Sequence, residues 1–221
     1  MMNTSRQNRY SIFFLFVLLC LISPPESRAQ DYIYYHPRIM LGASTAAFRI
    51  SIDNFESIYT NRWGWSHSGF AGVRVYSRYY VTVKHSVFKK HGKEGTKDQT
   101  GPELGRAQWD ERWTSVGLRI HPPITRKYNS YYGFGVAFFR AEETAGLSII
   151  DNETDHSIVS KSSGIYLELG LEYFPIEKAA VFFEIEVASA RVRKSITGIT
   201  GFEATSIGGF RFALGVSFWP F

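Results

Sequence analysis

Eight segments of this chain alternate apolar and variable residues with a period of two, and no segment with a helical period separates them. The segments are Arg38–Phe48, Gly69–Tyr76, Tyr79–Phe88, Arg112–His121, Tyr131–Arg140, Gly164–Phe174, Ala180–Arg191 and Ile207–Phe218. A period of two puts alternate side chains on opposite faces of a β-strand, whereas an amphipathic helix repeats every 3.6 residues. The pattern therefore excludes βαβ folds and leaves a sandwich or a barrel.

A repeated motif indicates how these strands connect. Its order is Gly, apolar, variable, apolar, ring-bearing residue, and the copies are Gly72–Tyr76, Gly117–His121, Gly170–Phe174 and Gly215–Trp219. The copies recur about every 50 residues, an interval that holds one outgoing and one returning strand. All four copies then lie at the same end of the structure, which predicts an up-and-down meander of hairpins.

Short and long connections alternate along the chain. Tyr76 to Tyr79, Pro122–Ser130 and Pro175–Ala179 are the shorter set. The longer, more polar set is Ser51–Ser68, Lys89–Glu111, Ala141–Ser163 and Val192–Ser206. Short turns at one rim and long loops at the other are characteristic of bacterial outer-membrane barrels. We therefore predict that both mature termini are periplasmic and that four long loops face outside.

The two faces of the predicted strands differ in chemistry. One face is almost continuously apolar, and the other carries charges of both signs, which form a predicted interior charge network: Arg74, Lys84, Arg119, Glu168, Glu172, Glu184, Glu186 and Arg211. A soluble sandwich would turn the apolar face inward, whereas a membrane barrel turns it towards lipid and leaves no backbone edge unpaired. The loop asymmetry and the aromatic residues at strand ends favour the barrel. The predicted fold is all-β, an eight-stranded antiparallel up-and-down transmembrane β-barrel.

An eight-stranded barrel is just wide enough for its own side chains to fill. Four inward acids facing four inward bases therefore predict a plug and not a channel lining. Glycines on the inward face would make room for bulky neighbours; they are Gly72, Gly117, Gly133, Gly135, Gly170 and Gly215. Rings at strand ends are expected at the membrane interface; they are Tyr79, Tyr132, Tyr173, Trp219 and Phe221. His121, which precedes Pro122-Pro123, is likewise expected at the rim.

The N-terminus has the three parts of a secretory signal peptide. Arg6 and Arg9 precede an apolar run, and Ser27-Arg28-Ala29 supplies small residues for cleavage before Gln30. We expect a signal peptide over residues 1–29 and a barrel domain over residues 30–221; a short N-terminal anchor helix is the alternative. Cleavage would remove Cys20, the only cysteine, and with it any disulfide framework or thiol metal site.

Composition narrows the function classes. Aromatic residues make up 16% of the chain, a share that excludes disorder. No uncharged run reaches the roughly 20 residues of a membrane-spanning helix. The predicted cleavage would remove three of the 25 basic and one of the 20 acidic residues, which leaves a net charge of only +3. No basic run is interleaved with stacking aromatics, so no nucleic-acid partner is predicted.

The ends of the strands carry a resemblance to a known superfamily. Gly117–Pro122, Gly170–Pro175 and Gly208–Phe218 are similar to strand ends of the OmpA/OmpX-like and opacity-like barrels, above all the outer membrane protein β-barrel domain of Bacteroidota-type bacteria. The resemblance implies a monomer in the bacterial outer membrane, with outer-membrane lipid and lipopolysaccharide around it. Phe218, Trp219 and Phe221 resemble the aromatic end read by the barrel-assembly machinery, although Pro220 departs from that pattern.

Three short motifs contain residue types that can support catalysis or ligand binding. His85 and Ser86 are adjacent on a strand and so point to opposite faces, which prevents a base–nucleophile pair in the wall. Asp151–His156 offers oxygen ligands for calcium but lacks the glycine and distal glutamate of an EF-hand. Gly92–Lys97 lacks the residue order of a P-loop. The sequence therefore predicts no catalytic residue, no metal site and no cofactor.

The predicted function is that of a non-enzymatic integral outer-membrane barrel. Its interior is filled with charge, and its long extracellular loops serve surface interaction with an unknown ligand, or envelope integrity. The alternatives are a narrow porin or OmpW-like conduit for small solutes and a lipid A-modifying barrel enzyme. An open interior would favour the conduit, and a lipid-facing rim cluster of Ser, His and an acid would favour the enzyme.

Overall fold

The computed structural model describes residues 37–52, 55–92, 103–104, 107–122, 127–149, 152–197 and 203–220. The predicted signal peptide, Cys20 and Phe221 lie outside the described residues. The elements follow one another as β1 (Ile39–Ile50), α1 (Phe55–Ile58), β2 (Trp63–Tyr76), β3 (Tyr79–His91), β4 (Glu103–Leu104), β5 (Gln108–Ile120), β6 (Tyr128–Ile149), β7 (Asn152–Ile176), β8 (Ala179–Thr197) and β9 (Glu203–Phe218). Within the described residues, no helix is long and apolar enough to cross a membrane.

Eight long strands close into a barrel. Each pairs antiparallel with its neighbour in the order β1, β2, β3, β5, β6, β7, β8, β9, and β9 pairs back onto β1, with Phe218 opposite Leu41. The two-residue β4 adds to β6 where that strand has passed its pairing with β5. Closure leaves no strand edge open in the wall, which is the condition for a sheet in lipid. The predicted eight-stranded antiparallel transmembrane barrel is confirmed.

The two ends of the barrel differ in how far the strands run. At the turn end, β2 joins β3 and β7 joins β8 through tight turns, and Ser77 adopts a positive φ of 42° in the first of them. At the long-strand end, β6 and β7 stay paired as far as Ile149 and Asn152. The predicted loop Ala141–Ser163 is therefore wrong, because nearly all of it is strand. Polar stretches, Glu142-Glu143-Thr144 on β6 and Asn152–Ser157 on β7, interrupt the alternation of apolar residues that marks a strand, so the sequence predicts a loop there.

The barrel wall is inverted relative to that of a soluble protein. Its outer surface carries large apolar side chains, among them Ile165, Leu214 and Val216, each more than 60% exposed. Its interior buries Lys84, Arg119, Arg211 and several glutamates. An exposed apolar surface of this extent is stable only when lipid covers it. We call this outer surface the apolar belt.

Candidate functional site

The centre of the barrel holds one lysine between three glutamates. Lys84 on β3 donates from Nζ to Glu168 Oε2 at 2.5 Å, to Glu184 Oε1 at 2.6 Å and to Glu186 Oε2 at 2.8 Å. An ammonium group has three donors, so these contacts use all of them. The lysine is 3% exposed. Three strands, β3, β7 and β8, are thereby tied together through a single side chain.

Arg119 on β5 extends this cluster towards the turn end. Its Nε donates to Glu168 Oε1 at 2.6 Å, and its Nη2 donates to Glu184 Oε2 at 3.1 Å. The guanidinium carbon lies 4.2 Å from the ring centroid of Tyr131, whose hydroxyl also donates to Glu184 Oε2. Small residues open the space for these groups: a Cβ on Gly133 would lie 2.5 Å from Glu168 Oε1, and one on Gly170 would overlap the Tyr131 ring.

Arg211 on β9 extends the cluster in the other direction. Its Nη1 lies 3.0 Å from Glu186 Oε2, and the second Glu186 oxygen accepts a hydrogen bond from Trp113 Nε1 at 3.1 Å. The rest of the guanidinium donates to serine hydroxyls on β2 and β3, namely Ser66, Ser68 and Ser86. Three buried cations therefore face three buried carboxylates, and the central layer is neutral. We call these six residues the central network.

Two of the predicted network residues lie elsewhere. Glu172 is buried on β7 four residues beyond Glu168, nearer the turn end, where its Oε2 is 3.4 Å from His121 Nδ1 and its Oε1 accepts a hydrogen bond from Ser217 Oγ. Arg74 is only partly exposed to solvent and lies near the turn end, beside Tyr80 in the register. The prediction that His121 is a rim residue is wrong, since it is 1% exposed and packs among the rings of Tyr80, Tyr131 and Trp219.

An aromatic layer fills the interior at the turn end. It consists of Met40, Phe70, Tyr80, Tyr131, Phe182 and Trp219. The prediction that Trp219 lies at the membrane interface is wrong: its ring is buried, and its Nε1 donates to Ser217 Oγ at 2.9 Å. Phe218, its neighbour, points outward and is half exposed. This opposition follows from the pleat, which turns successive side chains to opposite faces.

A second apolar layer lies towards the long-strand end, and Phe55 of α1 packs in it. Phe55 of α1 stacks on Tyr59 at a centroid distance of 4.2 Å and meets Trp109 edge-on. Burial and the nearby Glu143 raise the pKa of Tyr59, so its hydroxyl stays a donor and lies 3.4 Å from Glu143 Oε1. The buried acids Glu143 and Glu111 were missed by sequence reasoning, because both lie at or beyond the predicted strand ends.

A ring of cations surrounds the barrel just beyond the apolar belt. Six of the eight long strands carry an exposed, outward-facing Lys or Arg towards the long-strand end. They are Arg49 on β1, Lys89 on β3, Arg112 on β5, Arg140 on β6, Lys161 on β7 and Arg191 on β8. We call these residues the basic rim.

Among the described residues, those that could support other chemistry are paired with partners in the barrel. Glu168, Glu184 and Glu186 have the spacing of a metal site, but the Lys84 ammonium lies among their oxygens and supplies the positive charge. His85 faces outward and contacts Thr114 Oγ1 at 2.9 Å, whereas Ser86 faces inward to Arg211. Asp151 and the side chains of residues 152–156 lie outside the described part of the chain, as does Gly92–Lys97 beyond its first residue.

No family model and no curated sequence match this chain. Solved structures do match its fold. Neisserial surface protein A has 14% sequence identity and a TM-score of 0.57, over 82% of this chain and 96% of its own. Ail from Yersinia pestis, solved in complex with the heparin analogue sucrose octasulfate, has 11% identity and a TM-score of 0.51, over 81% of this chain and 97% of its own. The chain therefore has the fold of the small eight-stranded outer-membrane barrels, as its strand ends predicted.

Proposed function

We propose that this chain is a non-enzymatic barrel of the bacterial outer membrane whose interior is closed to solutes and whose long-strand end meets the exterior. The apolar belt and the closed wall support a place in a membrane. Two of the similar structures, Neisserial surface protein A and Ail, are small barrels of bacterial surface proteins, and the predicted signal peptide supports export. The chain then reaches the membrane through the barrel-assembly machinery, with Phe218 and Trp219 near the end that this machinery reads.

The closed state is supported by one observation: three successive layers of side chains fill the inside of the barrel. The central network spans the interior from β3 and β5 to β7, β8 and β9 through direct ion pairs. The two apolar layers described above, one towards each end of the barrel, lie on either side of the central network. A hydrated ion that crossed would have to part Lys84 from three carboxylates, and buried charges are held strongly against such separation. The alternative of a narrow conduit would need this network to open.

The interior serines and the outward histidine also argue against the enzymatic alternative. Ser66, Ser68 and Ser86 are occupied by the Arg211 guanidinium inside the barrel. The imidazole of His85 is on the opposite face, against Thr114. A Ser–His pair needs the two side chains within hydrogen-bond reach. The wall of the barrel therefore separates His85 from these three serines.

Single-channel conductance of the refolded protein in a planar bilayer tests the closed state. We expect no steady ion conductance from the wild-type barrel. A double variant, Arg211→Ala with Glu186→Ala, is the matched comparison, because it removes a buried pair without changing the net charge. Brief openings in the variant alone would support the plug. Steady conductance of the wild type would overturn it and favour the conduit.

Labelling of single cysteines tests the orientation. Ser157 is exposed on β7 at the long-strand end, and Lys178 is exposed in the β7–β8 turn. After the predicted cleavage the mature chain has no cysteine, so each substitution is the only target. A membrane-impermeant maleimide added to intact cells should label Ser157→Cys and leave Lys178→Cys unlabelled until the outer membrane is opened. The reverse pattern would invert the proposed topology.

A further inference from the structure

Three residues of the basic rim stand side by side on neighbouring strands. Arg112 on β5 lies directly opposite Arg140 on β6, and Arg140 lies directly opposite Lys161 on β7. We call these three residues the basic row. Directly opposed residues in an antiparallel sheet have Cβ atoms about 5 Å apart, and like charges in that position repel one another. Three cations in such a row are unfavourable unless an anion lies over them.

The protein supplies too little negative charge to balance this row. Arg112 bonds Asp110 through Nε at 2.9 Å and Nη2 at 2.7 Å, and Lys89 shares the same carboxylate at 3.3 Å. Arg140 Nη2 lies 3.1 Å from Glu142 Oε2. Within the described part of the chain, no side chain pairs with Lys161. Four cations thus share two acids.

The position of the carboxylates leaves the membrane side of the row open. Asp110 and Glu142 each lie two residues beyond their arginines, away from the apolar belt. On the belt side, Phe138 follows Arg140 at the same spacing and is 54% exposed, and Ile165 on β7 is 67% exposed. The Arg140 side chain therefore adjoins the apolar belt at Phe138, whereas Thr114 and Ser163 lie between the belt and the other two cations of the basic row.

From this juxtaposition we propose that the basic row binds the phosphate of a phosphorylated glycolipid of the lipopolysaccharide type in the outer leaflet. Arginine presents a planar fork that holds two phosphate oxygens at once, and lysine adds a mobile point charge. The acyl chains of the same molecule would cover Phe138 and Ile165. The inference rests on the proposed function, because it requires the long-strand end to face the exterior.

A soluble polyanion explains fewer of these features. Its binding would need the cations on the top surface of the barrel, where it could approach from water. The basic row instead faces sideways, on the outer face of the wall and just beyond the apolar belt. A ligand that engages both must carry anionic and apolar parts in one molecule, and an outer-leaflet glycolipid does.

Unfolding in vesicles of defined composition tests the proposal. The refolded barrel is placed in phosphatidylcholine vesicles that contain increasing fractions of bisphosphorylated lipid A, and the urea midpoint is followed by tryptophan fluorescence. A ligand that binds only the folded state raises this midpoint. We expect the rise for the wild type and a loss of affinity on the order of 100-fold for Arg112→Gln/Arg140→Gln/Lys161→Gln, since each basic residue near an anionic membrane surface contributes about fivefold.

A matched variant removes the same charge at the other end of the barrel. Arg38, Arg78 and Lys178 are exposed at the turn end, and their replacement by Gln should leave the response to lipid A unchanged. Lipid A stripped of its phosphates should shift no midpoint. An equal shift with the stripped lipid, or an unchanged response of the basic-row variant, would overturn the proposal. Competition by sucrose octasulfate or inorganic phosphate from water, at an affinity equal to that of lipid A, would also overturn it in favour of a soluble anion.

The outcome can be separated from that of the proposed function. If the wild-type barrel conducts no ions and its urea midpoint does not change with lipid A, the glycolipid site is contradicted and the closed interior is not. A barrel that responds to lipid A but conducts steadily would sink the closed interior alone. Labelling of Lys178→Cys in intact cells would remove the topology on which the glycolipid site depends.

Discussion

The interior and the exterior of the same strands handle charge in opposite ways. Inside, Lys84, Arg119 and Arg211 face Glu168, Glu184 and Glu186, and each cation contacts at least one carboxylate. Outside, Lys89 and the three cations of the basic row have only two nearby acids, Asp110 and Glu142. An unpaired charge in a dry interior is strongly disfavoured, whereas a rim in contact with water and lipid headgroups can hold an excess. Balance inside therefore serves stability, and imbalance outside requires a partner from the surroundings.

The largest expected effect is the loss of the central cation. Lys84→Met keeps the length of the side chain but leaves three carboxylates facing one another across the barrel. Arg119 and Arg211 still contact these carboxylates, so the variant leaves one buried negative charge in excess. Orphaning one buried charge costs about 3–5 kcal/mol, and we expect a loss at the upper end of that range or a failure to refold. Heat-modifiable migration on gels and urea unfolding in vesicles would measure it. Adding Glu184→Gln to Lys84→Met should restore part of the loss.

Removal of one carboxylate should have the next largest effect. Glu184→Gln deletes charge at nearly constant volume and breaks contacts with Lys84, Arg119 and Tyr131. We expect a loss of about 3 kcal/mol, at the lower end for a buried pair, in urea unfolding. Glu177→Gln, in the exposed β7–β8 turn, is the control and should unfold like the wild type. Equal midpoints for both variants would mean that the interior is wet.

The next prediction compares the cost of a new arginine at two depths on the lipid-facing surface. Leu167 lies on β7 in the middle of the apolar belt, and Ser163 lies on the same face, two residues below Lys161. Leu167→Arg should cost about 2–4 kcal/mol, and Ser163→Arg about 0–1 kcal/mol, because the penalty for a cation falls towards the interface. Both are read from unfolding in the same vesicles. Similar costs at the two positions would contradict a lipid-covered belt.

The smallest expected effect is at the basic row itself. Arg140→Gln removes one exposed ion pair with Glu142 and also relieves repulsion from Arg112 and Lys161. In phosphatidylcholine alone the two changes should nearly cancel, and the midpoint should move by less than about 0.5 kcal/mol. In vesicles that contain lipid A the same variant should be clearly less stable than the wild type. A large loss without lipid A would place the role of Arg140 within the protein.

The sequence was sufficient for the strand count and for the face of each residue. Its period of two assigned Leu167 and Val216 outward and Lys84 and Glu184 inward, and the structure agrees. The same parity extends to His121 and Trp219, which follow Arg119 and Ser217 at a spacing of two and so point inward. Rim residues were expected there instead, because strand ends were equated with the membrane interface. A consistent use of the pleat would have placed both rings inside.

The period of two predicts which face a residue occupies but not its height along the barrel axis. Arg74 and Arg119 share the inward parity and are both in register with Tyr80, yet Arg74 is partly exposed whereas Arg119 is buried. A long side chain near a strand end can extend to water. The continuations of β6 and β7 were also missed, since polar stretches such as Glu142-Glu143-Thr144 interrupt the apolar alternation. Pairing across strands fixes these heights, and the register of a strand depends on partners far away in the sequence.

The length of the β6–β7 hairpin gives the molecule a vertical scale. From Arg140 to Ile149 the strand rises about 3.3 Å per residue, so its tip stands at most about 30 Å above the basic row, a height comparable to the hydrocarbon core that the barrel crosses. A molecule that approaches from outside meets the end of the β6–β7 hairpin first, whereas a glycolipid on the basic row lies at the base of this hairpin. These two positions are far apart, so a ligand at the end of the hairpin and a glycolipid at the basic row can be bound at the same time.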